Sequence, residues 1–188
     1  MSRSRFLLEY IRNVREVGAV APSSSFLARK MCEPIDFNHA KTIVEYGPGT
    51  GVFTDEMMKH VQPDATVVLI ESNVVFYNKL VHKYSANKQV KVIHDSAENT
   101  AMILRRLKLP QVDYVVSGLP FAALPSKASH AILSSTAELL RANRGAFITF
   151  QYTLFKRGLI AGYFNDIHVK KELRNIPPAY VLLCRNQE

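Results

Sequence analysis

Long apolar runs are missing from this chain of 188 residues. A helix that spans a bilayer needs about 20 such residues, and no stretch approaches that length. The opening "MSRSRFLLEYIRNVREV" starts like a signal peptide, but Glu9, Arg12, Arg15 and Glu16 interrupt its apolar part. A protein kept in the cytoplasm is expected. Cysteine is scarce: Cys32 and Cys184 lie far apart and match no metal or redox spacing. They could pair as a disulfide, although two reduced core thiols suit a cytosolic chain better. None of the six histidines stands at a ligand-like spacing from a second His or Cys, so no metal is expected. Acidic residues are also few, 16 against 24 Lys and Arg, which leaves a net charge of +8 and a pI near 9.6. That excess suits an anionic partner, nucleic acid or a membrane surface, or a basic surface that only aids solubility.

What remains is ordinary for a globular domain: 47% apolar and 21% charged residues, with no repeat, low-complexity tract or linker. From residue 41 onward, β-branched runs alternate with helical patterns. Strands are expected at 41–46, 66–71, 90–95, 112–117 and 145–152, with helices over 53–61, 73–84, 98–109 and 126–143. This alternation implies an α/β fold, a parallel sheet with helices on both faces. After residue 163 the pattern changes, and 165–175 and 178–186 read as two final strands of a hairpin. Ahead of the first strand, Phe6, Leu7, Tyr10, Ile11, Val14 and Val17 make one apolar stripe of a helix over 5–17. Ser23 to Ser25 then offer an N-cap for a second helix. The division expected is an amphipathic helical extension, 1–40, before a domain at 41–188.

"VEYGPGTG" places Gly47, Gly49 and Gly51 after a strand and before a helix. Glycines there permit unusual dihedrals and let a ligand touch the backbone. The dinucleotide pattern G-x-G-x-x-G fails at Val52, and no Gly-Lys-Ser/Thr follows to make a P-loop. Two acids sharpen the reading. Glu71 ends the second strand 20 residues beyond Gly51, where a carboxylate accepts hydrogen bonds from ribose hydroxyls. Asp95 ends the third strand, where it can meet an adenine amine. Together they describe a nucleoside pocket at the carboxyl edge of the sheet.

Glu45 through Gly51, Glu71, Asp95 and the terminal hairpin resemble the class I S-adenosylmethionine-dependent methyltransferases, whose Rossmann-like sheet has seven strands. The resemblance implies S-adenosyl-L-methionine as cofactor. Gly47, Gly49 and Gly51 would line its methionine and ribose portions, and Glu45 would hold the amino group or organise the loop. Glu71, with Ser72 beside it, would bind the ribose, and Asp95, Ser96 and Ala97 the adenine. Ser117, at the end of strand four, completes the cofactor-binding set.

The stretch "YVVSGLPFAALP" ends strand four with a stiff apolar corner at Gly118, Leu119, Pro120 and Phe121. Methyl transfer is an in-line displacement, so a rigid wall that positions the acceptor and excludes water is of use there. Adenine-N6 methyltransferases and ribosomal RNA adenine dimethylases carry N-L-P-Y/F or a close variant at this point. Their amide receives the exocyclic amine and their aromatic ring stacks on the flipped base. Here Gly118 replaces the amide, which reads as room for a bulkier amine. The chain also ends without the helical RNA-binding domain of the dimethylases, and both departures count against RNA.

Over nearly its whole length the chain is similar to the small soluble bacterial phospholipid N-methyltransferases. The shared features are an amphipathic first helix, Ala21-Pro22-Ser23-Ser24 with Leu27-Ala28, "VEYGPGTGVFT", "SGLP" and the aromatic-rich "FITFQYT". Tyr46 stands where an aliphatic residue is common, and an expected proline after strand five is missing. The resemblance implies methyl transfer to the amine of phosphatidylethanolamine or a related aminolipid. The enzyme would sit peripherally on an anionic membrane surface, at the inner face of the membrane. Tyr152, at the end of strand five, is the candidate for orienting the amine, with Tyr10 a second. Three alternatives stay open: an RNA or DNA adenine methyltransferase, a binding protein that keeps the cofactor fold without catalysis, and a small-molecule methyltransferase. Arg3, Arg5, Arg12 and Arg15 against Glu9 and Glu16 leave the first helix cationic, which suits reversible docking on anionic lipid. Ile11→Glu is therefore expected to reduce co-sedimentation with anionic vesicles while sparing cofactor affinity; unchanged sedimentation would remove that helix from the membrane contact.

Overall fold

A computed structural model describes residues 24–109 and 111–186. The helix expected over 5–17, Tyr10 and the segment Ala21 to Ser23 lie outside the described residues. The sheet has seven strands: β1 (Thr42–Tyr46), β2 (Thr66–Glu71), β3 (Val90–His94), β4 (Tyr114–Ser117), β5 (Ala146–Gln151), β6 (Asp166–Glu172) and β7 (Ala179–Arg185). Their spatial order is β3-β2-β1-β4-β5-β7-β6. The first five run parallel, and β7 enters antiparallel between β5 and β6. This is the expected α/β, Rossmann-like sheet with its closing hairpin.

Parallel strands covered on both faces read as near-continuous apolar runs, which is why they were visible in the sequence. Successive side chains alternate between the faces. Val44, Val68, Val115 and Phe147 pack on one face with Ile103, Leu133 and Phe164. Ile43, Val67, Val116 and Ile148 pack on the other with Leu27, Met31, Phe53 and Leu80. Tyr46 fits among its aliphatic neighbours because its hydroxyl, 3.1 Å from Thr136 Oγ1, has a buried partner. Cys32 and Cys184 are free, buried, and belong to opposite faces.

Helix α1 (Ser25–Cys32) is capped by Ser24, whose Oγ accepts from the Leu27 N–H at 3.2 Å. Its Leu27 and Met31 are fully buried in the sheet core, so no break in packing falls at residue 40. Helices α2 (Val52–Met57), α3 (Val74–Lys83), α4 (Thr100–Leu107) and α5 (Ser126–Arg141) follow β1 to β4 in turn. The pattern over 53–61 overran α2, because Lys59 to Val61 close as a turn on Glu56 and Met57 carbonyls. A 3-10 turn at Leu154–Lys156 and a short helix, α6 (Arg157–Ala161), follow β5. Neither was expected, since five residues are too few to show a helical period. No helix of the described residues is long and apolar enough to cross a membrane.

Candidate cofactor and acceptor site

The carboxyl ends of β1, β2 and β4 open onto a cleft of about 260 Å³, whose walls include Gly47, Gly49, Glu71, Ser72, Gly118 and Leu119. The glycine loop forms one wall. Gly47, Gly49 and Gly51 have φ of 60°, 58° and 83°, a left-handed region in which side chains are strained. A Cβ on Gly49 would meet nothing within 4 Å, so the backbone there faces open cleft. A Cβ on Gly51 would lie 2.8 Å from the Tyr84 hydroxyl. Gly51 therefore serves the packing of the loop on α3, and it is not among the cleft walls. Outside the loop, Tyr84 Oη donates to Asp55 Oδ1 at 2.8 Å, and Lys83 Nζ donates to Thr50 O at 3.2 Å and to Asp55 Oδ2.

Glu71 joins the loop to the second strand. Its Oε2 accepts from the Gly49 N–H at 3.0 Å and its Oε1 from the Asn73 N–H at 2.9 Å. A carboxylate oxygen has two lone pairs, so each can take a further hydroxyl. Glu45 lies fully buried at the base of the loop. Its Oε2 accepts from Thr54 Oγ1 at 2.5 Å, while Oε1 has no hydrogen-bond partner. Burial lifts its carboxyl to about 8; the Thr54 hydroxyl opposes the shift and the charge of Glu71 adds to it. An open backbone cradle and a hydroxyl-accepting carboxylate fit a nucleoside such as S-adenosylmethionine; Glu45 lies behind them and is not among the cleft walls.

The other expected residues stand differently. Asp95 is occupied within its own turn: Oδ1 accepts from the Ser96 N–H and from Asn99 Nδ2, both at 2.7 Å. The Asn99 amide, then the Ser96 N–H, hold its carboxyl below the ordinary range. Asp95, Ser96 and Ala97 are not among the cleft walls. Ser117 is buried, and its Oγ accepts from the Leu119 N–H at 3.2 Å, which shapes the corner.

Two readings of that corner need correction. The missing side chain of Gly118 is not spare room: a Cβ there would lie 2.7 Å from the Gly47 carbonyl oxygen. The close approach of the two loops requires glycine. Phe121 is also no acceptor wall, because its ring is buried and meets Phe147 edge-on at 6.0 Å. Pro120 lies outside the cleft walls, and its carbonyl accepts from Ala123 and Leu124 in the turn that follows. Tyr152 does not line the cleft directly. It stands edge-on to Phe150 at 5.4 Å, and Phe150 edge-on to Phe53 at 5.7 Å, a wall of the cleft.

The sequence reading missed Asn73, Phe53 and Phe76, which also line the cleft. Asn73 Oδ1 caps α3 by accepting from the Val75 and Phe76 N–H groups, and an asparagine ahead of a helical pattern is the signal for that. The two phenylalanines had the helical spacing of core residues, and nothing in the pattern separates the two roles.

The model of the family described as ribosomal RNA adenine dimethylase matches residues 23–167. The chain is 29% identical over 182 residues to the ornithine lipid N-methyltransferase of Singulisphaera acidiphila, covering 96% of this chain and 94% of that one. Among solved structures, it superposes on the T. thermophilus 16S rRNA N2 methyltransferase in complex with AdoMet and guanosine, with a TM-score of 0.66 and 19% identity. That match covers 89% of this chain but only 44% of the other, less than half its length. The N-methyltransferase NodS of Bradyrhizobium japonicum WM9, in complex with S-adenosyl-L-homocysteine, gives a TM-score of 0.68 at 9% identity, covering 87% and 86%. These two likenesses concern the fold.

Two substitutions test the geometry. Between the ordinary carboxylate value of 4.5 and about 8, the native state holds the Glu45 proton and the unfolded chain does not. Stability should thus be highest below that window and fall as pH rises through it. Glu45→Gln should flatten the fall, read from urea midpoints across pH. Gly118→Ala should destabilise by about 1–3 kcal/mol, read by the same unfolding curves; an unchanged midpoint would mean that the loop yields freely.

Proposed function

Since the chain belongs to the ribosomal RNA adenine dimethylase family and is an S-adenosylmethionine-dependent methyltransferase, we propose that its acceptor is the amine of a membrane aminolipid, of the phosphatidylethanolamine or ornithine-lipid kind. The observation that carries this reading is the corner after β4. A base-acceptor site needs an amide and a free aromatic ring there; this chain has Gly118, pressed on Gly47, and Phe121, buried against Phe147. The similarity to a lipid N-methyltransferase along 96% of the chain supports it, and so does the net charge of +8.

The bound cofactor supplies an electrophilic methyl group on a sulfonium. We assign its binding to the open backbone at Gly49 with Gly47, to Glu71 and Ser72 for the ribose, and to Glu45 for the amino group. A cation placed near the unpartnered Oε1 of Glu45 favours its ionised form, so binding near neutral pH should release a proton there. Asp95, Ser96 and Ala97 at the end of β3 remain the proposed adenine end, reached once Asp95 adds an acceptor role to its turn contacts. On the acceptor side, Gly118 and Leu119 form the apolar rim.

The chemistry sets a demand on that rim. An alkylamine has a pKa of about 10, so only roughly one molecule in a thousand is neutral at pH 7, and the protonated amine has no lone pair to attack with. A dry, apolar mouth disfavours the charged form. Tyr152, behind the cleft wall at the end of the aromatic file through Phe150 to Phe53, is proposed to act on the amine's orientation through that file and not by direct contact. The docked membrane is taken to be anionic, with the enzyme peripheral to it.

The RNA adenine reading is favoured by the description of the family itself and by Leu119-Pro120-Phe121, and the net charge of +8 suits it equally. The two readings separate in a single experiment with radiolabelled S-adenosylmethionine. One reaction contains vesicles of phosphatidylethanolamine or ornithine lipid with anionic lipid; the other contains deproteinised RNA. Label is expected in the organic phase, as methylated lipid, and it should vanish with Gly49→Val, whose side chain would fill the cradle. Label in RNA with none in lipid would sink the lipid reading.

A further inference from the structure

Most of the large apolar side chains left exposed among the described residues gather at one edge of the molecule; Val81, toward the far end of α3, does not. Because β1, β2, β4 and β5 are parallel, their carboxyl ends share the edge that carries the cleft. β7 runs antiparallel to β5, so the β6–β7 connection, 173–178, returns to that same edge. Leu173 and Ile176 in this connection are 64% and 92% exposed. Phe155, in the turn that follows β5, is 88% exposed. Val74 and Val75 open α3 directly after β2 and are each about half exposed. Phe26, in the first turn of α1, is held at this edge too: Ser24 Oγ donates to Asn175 Oδ1 at 2.7 Å, and the Arg174 guanidinium lies 4.5 Å from the Phe26 ring centre.

Water-facing phenylalanine and isoleucine at such exposure are unusual when grouped. These side chains come from four parts of the chain, spread along the edge that carries the cleft, from α3 to the β6–β7 connection, an arrangement suited to a flat, fluid surface. Charge agrees with this. The stretch 152–163, which carries Phe155, has two basic residues and no acidic one. The first described residue, Ser24, stands at this edge.

We propose that this edge is the membrane-docking face, with Phe155 and the Leu173–Ile176 turn inserting into an anionic lipid surface so that the cleft mouth lies at headgroup level. The proposal rests on the lipid-amine reading and adds the contact residues and the orientation. It explains how a headgroup amine reaches Gly118 and Leu119 without the lipid leaving the bilayer, because the inserted side chains and the reacting edge coincide.

The chain contains no tryptophan, so one introduced indole reports its own position. Phe155→Trp, Ile176→Trp and, as a control near the far end of α3, Val81→Trp are mixed with vesicles of phosphatidylethanolamine and phosphatidylglycerol. Blue-shifted emission and quenching by brominated acyl chains are expected at 155 and 176 and not at 81. No response at 155 and 176, or an equal response at 81, overturns the docking face. So does a response at 155 and 176 to RNA with none to vesicles. The double variant Phe155→Asp/Ile176→Asp should lose vesicle binding by about tenfold or more, yet still methylate lipid dispersed in detergent micelles with unchanged cofactor affinity. Unchanged vesicle binding in that variant would also overturn the proposal. A parent enzyme that methylates RNA and no lipid defeats the lipid-amine reading. One that methylates vesicle lipid while both tryptophans stay silent defeats the docking face alone.

Discussion

A single carboxylate ties the cleft together. Glu71, almost fully buried, takes the Gly49 N–H on one oxygen and the Asn73 N–H on the other. Hydrogen bonds to an ionised group are the stronger kind, and a buried N–H left without its partner is costly. The glycine loop, the end of β2 and the start of α3 therefore hold their relative positions through one side chain. The same group has lone pairs left for a ligand. Structure and recognition are thus drawn from one residue, which is economical but leaves little freedom to change it.

The second constraint is steric. Gly118 and Gly47 bring two strand ends within a distance that no side chain tolerates, and this contact sets how near the acceptor corner stands to the cofactor loop. A loop bearing an amide at this point would have to follow another path. The difference between an amide and a glycine is therefore more than a change of one functional group: it alters the backbone around the reacting centre. The lateral anchor of Tyr84, Lys83 and Asp55 holds the loop from its outer side.

Much of this was legible in the sequence. The parallel strands announced themselves because both their faces are buried, and β-branched runs follow from that. Glycines between strand and helix, with Glu71 at the next strand end, located the cleft, whereas Asp95 at the third strand end is not among its walls. What was not legible depended on the third dimension. Phe121 follows a proline in a corner, and no local pattern tells a core ring from a ligand-facing one. Gly118 read as room for a bulkier amine, whereas its neighbour 71 residues away in sequence, Gly47, supplies the reason for it. Helix α6 is too short to carry a period, and the cleft-facing roles of Phe53 and Phe76 are hidden in ordinary amphipathic spacing. The grouping of Phe155 and Ile176 at one edge follows from the reversal of β7, which the hairpin pattern suggested without giving its place in the sheet.

That reversal has a practical side. β7 runs from the cleft edge toward the opposite one, where Cys184 pairs with Phe147 near the start of β5. The carboxyl-terminal end of the described chain thus leaves the molecule on the side away from the cleft, while Ser24 enters beside it. A reporter placed at the end of β7, near Arg185, would stand away from the reactive mouth. A reporter placed at Ser24 would instead stand at the edge that carries that mouth.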